Sequence, residues 1–244
     1  MFNITVNVIC TFMDLGRIGI KVPKETNNYL WKYIDHYKLT YFLRQRSLYF
    51  TRLDKLDDPS EGALLFSLKA KYNATTYNNP KHKKLIDYEK NNFDAINKTS
   101  CENEFVNCWF YGDRESIAMW NLHSSTDSEV LGITFQDFYP TLIKSFQRFI
   151  SNHGNRMTII GDLVSYYKLN LFEKGLKIKP NYKAFNKDVS YRNESEYRFL
   201  VNLIRIYTES NVDSYEIPID EFEKLRLDII THPKMQVWKK NNIK

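Results

Sequence analysis

Cysteine is scarce in this sequence, and the few that occur exclude two kinds of scaffold. The three cysteines are Cys10, Cys101 and Cys108, an odd number with no C-x-x-C pair. A disulfide framework needs an even set, and a zinc site usually needs paired spacing. The five histidines likewise form no H-E-x-x-H or similar ligand pattern. The sequence therefore predicts neither a disulfide framework nor a zinc site. The expected compartment is a reducing cytoplasm.

Long apolar runs and glycine-rich nucleotide motifs are also missing. No run reaches the roughly 18 apolar residues of a membrane span. Residues 1–13 lack the basic start and the small-residue cleavage site of a secretion signal. We therefore expect a cytoplasmic protein with no membrane partner. No G-x-G-x-x-G or G-K-[S/T] follows a predicted strand, so Rossmann and P-loop folds are unsupported.

The charge balance is mildly basic. Lys plus Arg number 35 and Asp plus Glu number 29 among 244 residues, which gives a net charge of +6. The excess is spread along the chain and forms no helical stripe, so nucleic-acid binding is allowed but not indicated. A polyanionic small ligand such as a dinucleotide fits the same sign of charge.

Apolar alternation and turn residues predict interleaved strands and helices. Strands are predicted at 2–12, 29–34, 47–52, 105–111, 130–135, 163–167, 196–206 and 215–217, and helices at 39–45, 63–72, 115–123, 137–150 and 220–225. This order predicts a single α+β domain over 29–244, built around a mixed or split, mostly antiparallel sheet. Residues 1–28 are predicted to form an N-terminal strand and a loop. The polar stretch 73–103 is predicted to be a peripheral helical insertion.

The helix predicted at 115–123 carries polar groups and a large ring on one face. Ser116, Met119, Trp120 and His123 fall at three- and four-residue spacing. Asp113 is the expected N-cap. A face of this kind suits a small-molecule pocket. The alternative is a helix that packs Met119 and Trp120 into the core and binds nothing.

A second candidate group lies at the end of the strand 47–52. Arg52 ends that strand, and the following turn carries Asp58 and Glu61. These three side chains can close the rim of a pocket. Alternatively, Asp58 accepts backbone hydrogen bonds in the turn and Glu61 begins the next helix.

The third group is the charged start of the strand 196–206. Glu194 and Glu196, two residues apart, point to the same face of a strand. Adjacent carboxylates repel, so one of them is expected to have a raised pKa. Arg192 and Arg198 continue the row, and a purely structural ladder of alternating charge is the alternative. We expect Arg52, Trp120 and Glu196 to line one pocket.

Eight short motifs follow one another along the chain. They are L-W-K-Y at 30–33, L-Y-F-T-R at 48–52, D-D-P-S-E at 57–61, C-W-F at 108–110, E-S-I-A-M-W at 115–120, G-I-T-F at 132–135, V-S-Y at 164–166 and Y-R-N-E-S-E-Y-R at 191–198. Their order resembles the bacterial family called domain of unknown function 2971, from about Leu30 to the C-terminus. Many members have M-W-x-x-Y, and here His123 stands at the tyrosine position. Members are associated with phage defence and mobile elements, and the resemblance implies that setting.

The same pattern is similar to that of ADP-ribosyltransferases. Those proteins have an early strand with His, Arg or Tyr, a second strand with Tyr or Ser, and a late strand with E-x-E. The similarity implies that Tyr33 holds the nicotinamide ribose, Tyr49 stacks on nicotinamide and Glu196 is the catalytic carboxylate. NAD is then a substrate, and no bound cofactor is implied. Cleavage of its glycosidic bond builds an oxocarbenium-like cation, which a fixed carboxylate stabilises.

Three function classes remain open. The first is an NAD-dependent ADP-ribosyltransferase or NAD glycohydrolase in bacterial defence, with a nucleic-acid or protein acceptor unspecified. The second is a non-catalytic sensor or interaction domain whose pocket binds a nucleotide or a phage component. The third is a nuclease in which Asp58, Glu61, Glu194 and Glu196 bind a divalent metal.

Overall fold

A computed structural model describes residues 17–56, 101–125, 127–153, 157–167, 183–203 and 212–240. The predicted strand at 2–12 and the predicted helix at 63–72 lie outside these ranges. Most of the predicted insertion at 73–103 lies outside them as well, and so do Asp58 and Glu61.

The described residues contain eleven strands. They are β1 Arg17–Ile20, β2 Tyr29–Asp35, β3 Ser47–Arg52, β4 Glu104–Gly112, β5 Ser128–Thr134, β6 Met157–Leu163, β7 Ser165–Tyr167, β8 Asn186–Asp188, β9 Glu196–Leu203, β10 Ser214–Pro218 and β11 Asp228–Thr231.

Four α-helices and four short 3-10 helices connect the strands in the described ranges. The α-helices are α1 His36–Gln45, α2 Ile117–His123, α3 Phe135–Asn152 and α4 Val237–Lys240. The 3-10 helices are Leu53–Lys55, Lys183–Phe185, Val189–Glu194 and Phe222–Lys224.

The main sheet is mixed and mostly antiparallel, with the order β1-β6-β9-β4-β2-β5-β11. Its parallel pair is β1 with β6. A second, two-stranded sheet pairs β7 with β8 in parallel. The prediction of a single α+β domain around a mixed, mostly antiparallel sheet is therefore confirmed.

The sheet divides at β4. One edge of β4 pairs along most of its length with β9. The opposite edge pairs with β2 only at residues 110–112 and with β3 only at residues 105–106. Between the two ladders, residues 107–109 of β4 face neither strand. From this fork one branch continues through β5 to β11, and the other continues from β3 to β10.

The main hydrophobic core lies between one face of the sheet and α3. Phe138 and Phe146 of α3 are buried there against Trp109 and Phe199 of the sheet. Apolar residues at three- and four-residue spacing give α3 one continuous buried face. Burial of that face anchors the middle of the sheet, including β4.

The opposite face of the sheet carries two smaller clusters. Trp31, Trp120 and Val130 form one, beneath α2. Phe185 and Leu200 belong to the other, beneath the 3-10 helix Lys183–Phe185. Both faces of β4 are therefore covered, as the mixture of large apolar residues in its sequence requires.

Several local predictions were wrong. Residues 14–28 were expected to be a loop, but β1 lies within them and adds to the edge of β6. The strands β6 and β11 were not predicted apart from the last residue of β6. The N-cap of α2 is Ser116, not Asp113, because the Ser116 hydroxyl accepts from Met119 N. In contrast, the short helix predicted at 220–225 is present as the 3-10 helix Phe222–Lys224.

No helix in the described part of the chain is long and apolar enough to cross a membrane.

The packing of Trp31 on β5 depends on a glycine. Trp31 lies directly opposite Gly132, and a Cβ placed at Gly132 would lie 2.3 Å from Cζ3 of the Trp31 ring. We therefore expect Gly132→Ala to lower the free energy of unfolding by about 1–3 kcal/mol, as overpacking typically does. Denaturant unfolding measures the change.

Gly19→Ala is the matched control, because a Cβ at Gly19 meets no atom within 4 Å. This variant should stay within about 0.5 kcal/mol of the wild type. Equal destabilisation of both variants would show that Trp31 does not occupy the space above Gly132.

Candidate functional site

A cleft of about 660 Å³ occupies the fork between β2, β3 and β4. Its walls come from these three strands, from α1 and from residues beside them. The lining residues are Lys32, Tyr33, Ile34, Tyr37, Lys38, Tyr41, Phe42, Ser47, Leu48, Tyr49, Thr51, Leu56, Val106, Asn107, Cys108, Trp109 and Leu131. The volume falls within the ~300–1,000 Å³ range of small-molecule sites. Among the described residues, the lining contains two lysines and no carboxylate.

Two polar side chains bridge the fork where the strand ladders stop. The Asn107 amide of β4 donates to the Tyr49 carbonyl of β3 at 2.7 Å. The Lys32 ammonium of β2 donates to the Cys108 carbonyl of β4 at 2.7 Å. Backbone carbonyls at a buried edge need such partners. The two side chains therefore link the strands across the fork and satisfy two of its backbone carbonyls.

Two tyrosines that the sequence singled out stand on opposite sides of this cleft. Tyr33 lies on β2, and its hydroxyl accepts from Ser116 N at 2.6 Å and donates to Ser116 O at 3.3 Å. Burial raises the pKa of Tyr33 to about 12. Tyr49 lies on β3 and is 48% exposed. Tyr33 is therefore fixed in place, and the Tyr49 ring is available to a ligand.

The helix α1 adds two further tyrosines and a lysine to the cleft. Asp35 caps α1 by accepting from Lys38 N at 2.8 Å. The helix places Tyr37, Tyr41 and Lys38 along the cleft wall. The Tyr41 hydroxyl donates to Glu216 of β10. The cleft therefore combines several aromatic rings with positive charge.

A buried cluster of four charged side chains lies beside the cleft. Glu196 is held by the guanidinium of Arg198 and, at 3.2 Å, by the ammonium of Lys187. Lys187 also contacts the carboxylate of Glu194. Arg198 is only 1% exposed and donates to the Ala184 carbonyl at 2.8 Å. The carboxylates and cations alternate, so each carboxylate has at least one positive partner.

The backbone that brings the two carboxylates together is not the one that was predicted. Glu194 ends the 3-10 helix Val189–Glu194, and Glu196 begins β9. Ser195 between them is left-handed, with φ of 37°. The prediction that both carboxylates lie on one strand was wrong, because the chain turns at Ser195. They still meet, because both contact Lys187.

The two carboxylates differ in proton affinity. Burial raises the pKa of Glu194 to about 7, and the nearby Glu196 carboxylate raises it further than Lys187 lowers it. Burial alone would also raise the pKa of Glu196, but the charge of Arg198 and the contacts with Glu194 and Lys187 hold it well below its usual range. Glu196 is therefore the ionised member of the pair, and Glu194 is the member that titrates near neutral pH.

The cluster and the cleft are joined through β4. Cys108, which lines the cleft, lies directly opposite Arg198 on β9, and Phe110 lies opposite Glu196. Residues directly opposite in an antiparallel pair share a face and lie roughly 4.5–5.5 Å apart at Cα. The charged cluster is therefore one strand away from the cleft.

Arg52 belongs to a different part of the fold. It pairs with Phe105 of β4, five residues along the strand from Phe110, which is opposite Glu196. Five strand residues span about 17 Å. The buried guanidinium of Arg52 contacts Asp54 at 2.6 Å and Asp213 at 3.0 Å. The expectation that Arg52, Trp120 and Glu196 line one pocket was wrong.

The ionic contacts of Arg52 give it a structural role. The hydrogen bond to Asp54 is the main reason that the pKa of Arg52 is raised above its usual value. Its guanidinium also donates to the Val212 carbonyl at 3.1 Å, which ties the end of β3 to the segment before β10. Its predicted partners Asp58 and Glu61 lie outside the described residues.

The face of α2 contributes packing and lies outside the cleft lining. Trp120 is 2% exposed, and its ring meets the rings of Tyr33 at 5.2 Å and His232 at 5.0 Å. Met119 is buried beside it, whereas His123 is exposed. The helix α2 therefore packs Met119 and Trp120 into the core, as the alternative interpretation of its sequence predicted. It still supports the cleft indirectly, because Trp120 and Ser116 position Tyr33.

Sequence reasoning missed two lysines of this region. Lys32 interrupts the apolar row Leu30 and Ile34 of β2, and a charge in that core-facing row was a usable signal. Lys187 lies on β8, seven residues before Glu194, and the 3-10 helix Val189–Glu194 follows β8. No sequence periodicity relates the two, so only the fold could show their contact.

No group of three or more His, Cys, Asp or Glu side chains that could hold a metal ion occurs within the described ranges. Searches of protein-family models, curated proteins and solved structures found no match to this chain.

The raised pKa of Glu194 predicts a pH-dependent stability. A carboxyl whose pKa rises from 4.5 to about 7 on folding binds its proton more tightly in the folded state. Its contribution is fully present below the unfolded pKa and is lost as the pH rises through the folded pKa. We expect a loss of up to about 3 kcal/mol between roughly pH 5 and pH 8. Thermal or denaturant unfolding of wild type and Glu194→Gln across this range measures it.

The difference between the two profiles isolates Glu194, because other titrating groups contribute to both. The exposed Glu223→Gln variant is the control and should keep the wild-type profile. Parallel profiles for wild type and Glu194→Gln would contradict the raised pKa. Glu196 acts in the opposite sense, and its contribution is lost only in more acidic solution.

Proposed function

We propose that this protein binds a nucleotide in the cleft at the fork of its sheet. The observation that carries the proposal is the lining of that cleft, whose described residues combine an exposed tyrosine ring, further tyrosines and two lysines and include no carboxylate. Aromatic rings stack on planar bases, and lysines attract phosphates. The net charge of +6 has the sign that such a ligand requires. NAD is the nucleotide that the sequence resemblance favours.

The size and shape of the cleft support a small ligand over a macromolecule. A volume of about 660 Å³ is enough to enclose a nucleotide. The walls come from separate branches of the sheet, and Asn107 and Lys32 link these branches within the cleft. Tyr33 on β2 and Tyr49 on β3 both line the cleft, on opposite sides of the fork. The resemblance to ADP-ribosyltransferases implies that these two tyrosines contact the ribose and the nicotinamide ring.

The Tyr49 ring is the sharpest point at which to test nucleotide binding. Stacking of a base on an aromatic side chain contributes about 1–3 kcal/mol. Tyr49→Ala should therefore weaken NAD or ADP binding about 5- to 100-fold, measured by isothermal titration calorimetry. Tyr49→Phe keeps the ring and should bind almost as tightly as the wild type.

The phenylalanine variant distinguishes stacking from hydroxyl contacts. Both variants leave the backbone bond between Asn107 and Tyr49 O available, so neither should alter the fork. If the wild type binds neither NAD nor ADP at millimolar concentration, the proposed function is wrong. If Tyr49→Ala binds like the wild type, the ligand does not stack on this ring.

Cleavage of NAD is the second candidate function, and the charged cluster favours it. Glu196 is ionised and fixed by two cations, one strand from the cleft. Glu194 has a pKa of about 7, which suits proton transfer near neutral pH. In this chemistry the bond between nicotinamide and ribose breaks, and nicotinamide leaves with the bonding electrons. Glu196 stabilises the resulting oxocarbenium-like cation, as the resemblance implies. The acceptor or water then bonds to the ribose carbon, and Glu194 takes the proton that it loses.

Replacement of Glu196 tests this candidate with two readouts. Glu196→Gln removes a charge that compensates Arg198 and Lys187, both almost fully buried. Breaking a buried ion pair typically costs about 3–5 kcal/mol, so we expect a lower free energy of unfolding as well as lost turnover. The assay follows nicotinamide release from NAD by wild type and variant, normalised to the folded fraction.

Glu194→Gln is the companion variant, since it mimics the protonated form of a residue that is already partly protonated near pH 7. It should remain folded and lose nicotinamide release. A wild type that releases no nicotinamide with any nucleic-acid or protein acceptor would eliminate NAD cleavage and leave nucleotide binding intact. The place of the protein in phage defence belongs to the same proposal.

A further inference from the structure

Lys32 is the cleft cation for which the described residues provide no carboxylate partner. Its ammonium donates to the Cys108 carbonyl at 2.7 Å and lies 5.6 Å from the centroid of the Trp109 ring. An ammonium group has three hydrogens, so this carbonyl uses only part of its capacity. The other lysine of the lining, Lys38, is mostly exposed and pairs with Asp35 at 3.2 Å. The two lysines therefore differ in both burial and compensation.

The position of Lys32 is costly for the fold alone. It stands on β2 between the buried residues Leu30 and Ile34. Moving an ammonium away from water is unfavourable unless an anion or several hydrogen bonds compensate it. Burial lowers the pKa of Lys32, whereas the negative charge of Glu196 acts in the opposite direction. A cleft cation that lacks a carboxylate partner among the described residues is typical of a binding residue.

We propose that Lys32 binds a phosphate group of the nucleotide in the cleft. The inference rests on the proposed function and adds the class of ligand, which is a nucleoside phosphate and not a free nucleoside or base. A lysine recognises phosphate as a compact point charge, whereas carboxylates are more often read by the two-pronged guanidinium of arginine. The neighbouring tyrosine rings supply the complementary surface for the base.

The test compares ADP with adenosine, which share a base and differ in phosphate. Calorimetry on the wild type should show ADP binding at least about tenfold more tightly, because a hydrogen bond to a charged group adds this much. Lys32→Met retains the apolar stem and removes the charge, so its ADP affinity should fall to that of adenosine. Its adenosine affinity should not change. Lys144→Met, the matched control, removes a lysine that lies outside the cleft lining and should keep the preference for ADP.

The outcomes separate this inference from the proposed function. Equal binding of ADP and adenosine by the wild type would overturn the role of Lys32, while adenosine binding would still support the nucleotide cleft. An undiminished preference for ADP in Lys32→Met would also overturn it. If neither compound binds, the proposed function is wrong. Inorganic pyrophosphate, which has no nucleobase, then tests whether Lys32 binds phosphate.

The pyrophosphate arm uses the wild-type protein and does not depend on a folded variant. Lysines are methylated reductively with formaldehyde, and the rate at each lysine is read by mass spectrometry with and without pyrophosphate. Pyrophosphate should slow modification of Lys32 several-fold. The rate at Lys144, which lies on α3 and pairs with Glu221, should not change. Equal slowing at both lysines, or at neither, would overturn the assignment of a phosphate site to Lys32.

Discussion

The sharing of one β4 edge by two strands is the constraint on which the rest of the structure depends. β2 occupies one end of that edge and β3 the other, so residues 107–109 pair with neither of these two strands on that edge. Strands diverge there because each branch of the sheet has its own packing partners. The β2 branch is covered by α2 through Trp120, and the β3 branch leads into β10. A cleft is the geometric consequence of this divergence.

Side chains make the fork stable where the backbone ladders cannot. Asn107 and Lys32 satisfy the carbonyls of Tyr49 and Cys108. Both residues therefore stabilise the fold. Lys32 also carries a positive charge that its carbonyl partner compensates only in part. The same substitution can then affect both folding and binding, which is why a variant that keeps the apolar stem of Lys32 is more informative than alanine.

The buried cluster of Lys187, Glu194, Glu196 and Arg198 follows from the other edge of β4. β9 pairs with that edge and begins at Glu196, directly after Ser195, whose backbone is in the left-handed conformation. Burying four charges is expensive, and alternation of sign makes it tolerable. The arrangement splits the proton affinities of the two carboxylates, with one ionised and the other poised near neutral pH. Two neighbouring carboxylates with different pKa values suit acid–base chemistry. The pair lies one strand away from the cleft in which we propose that the ligand binds.

The sequence by itself determined the elements whose apolar pattern is strong. β2, β3, β9 and α3 were predicted close to their observed bounds, because alternation and helical spacing are local properties. The pairing of carboxylates at 194 and 196, and a raised pKa for one of them, also followed from their proximity in the chain. Only the tertiary structure decided which cations they meet. It placed Arg52 with Asp54 and Asp213, about five strand residues from Glu196, and brought Lys187 to the cluster in place of Arg192. These contacts depend on strand register and on the fork at β4, which are set by pairing between distant segments and leave no trace in local spacing.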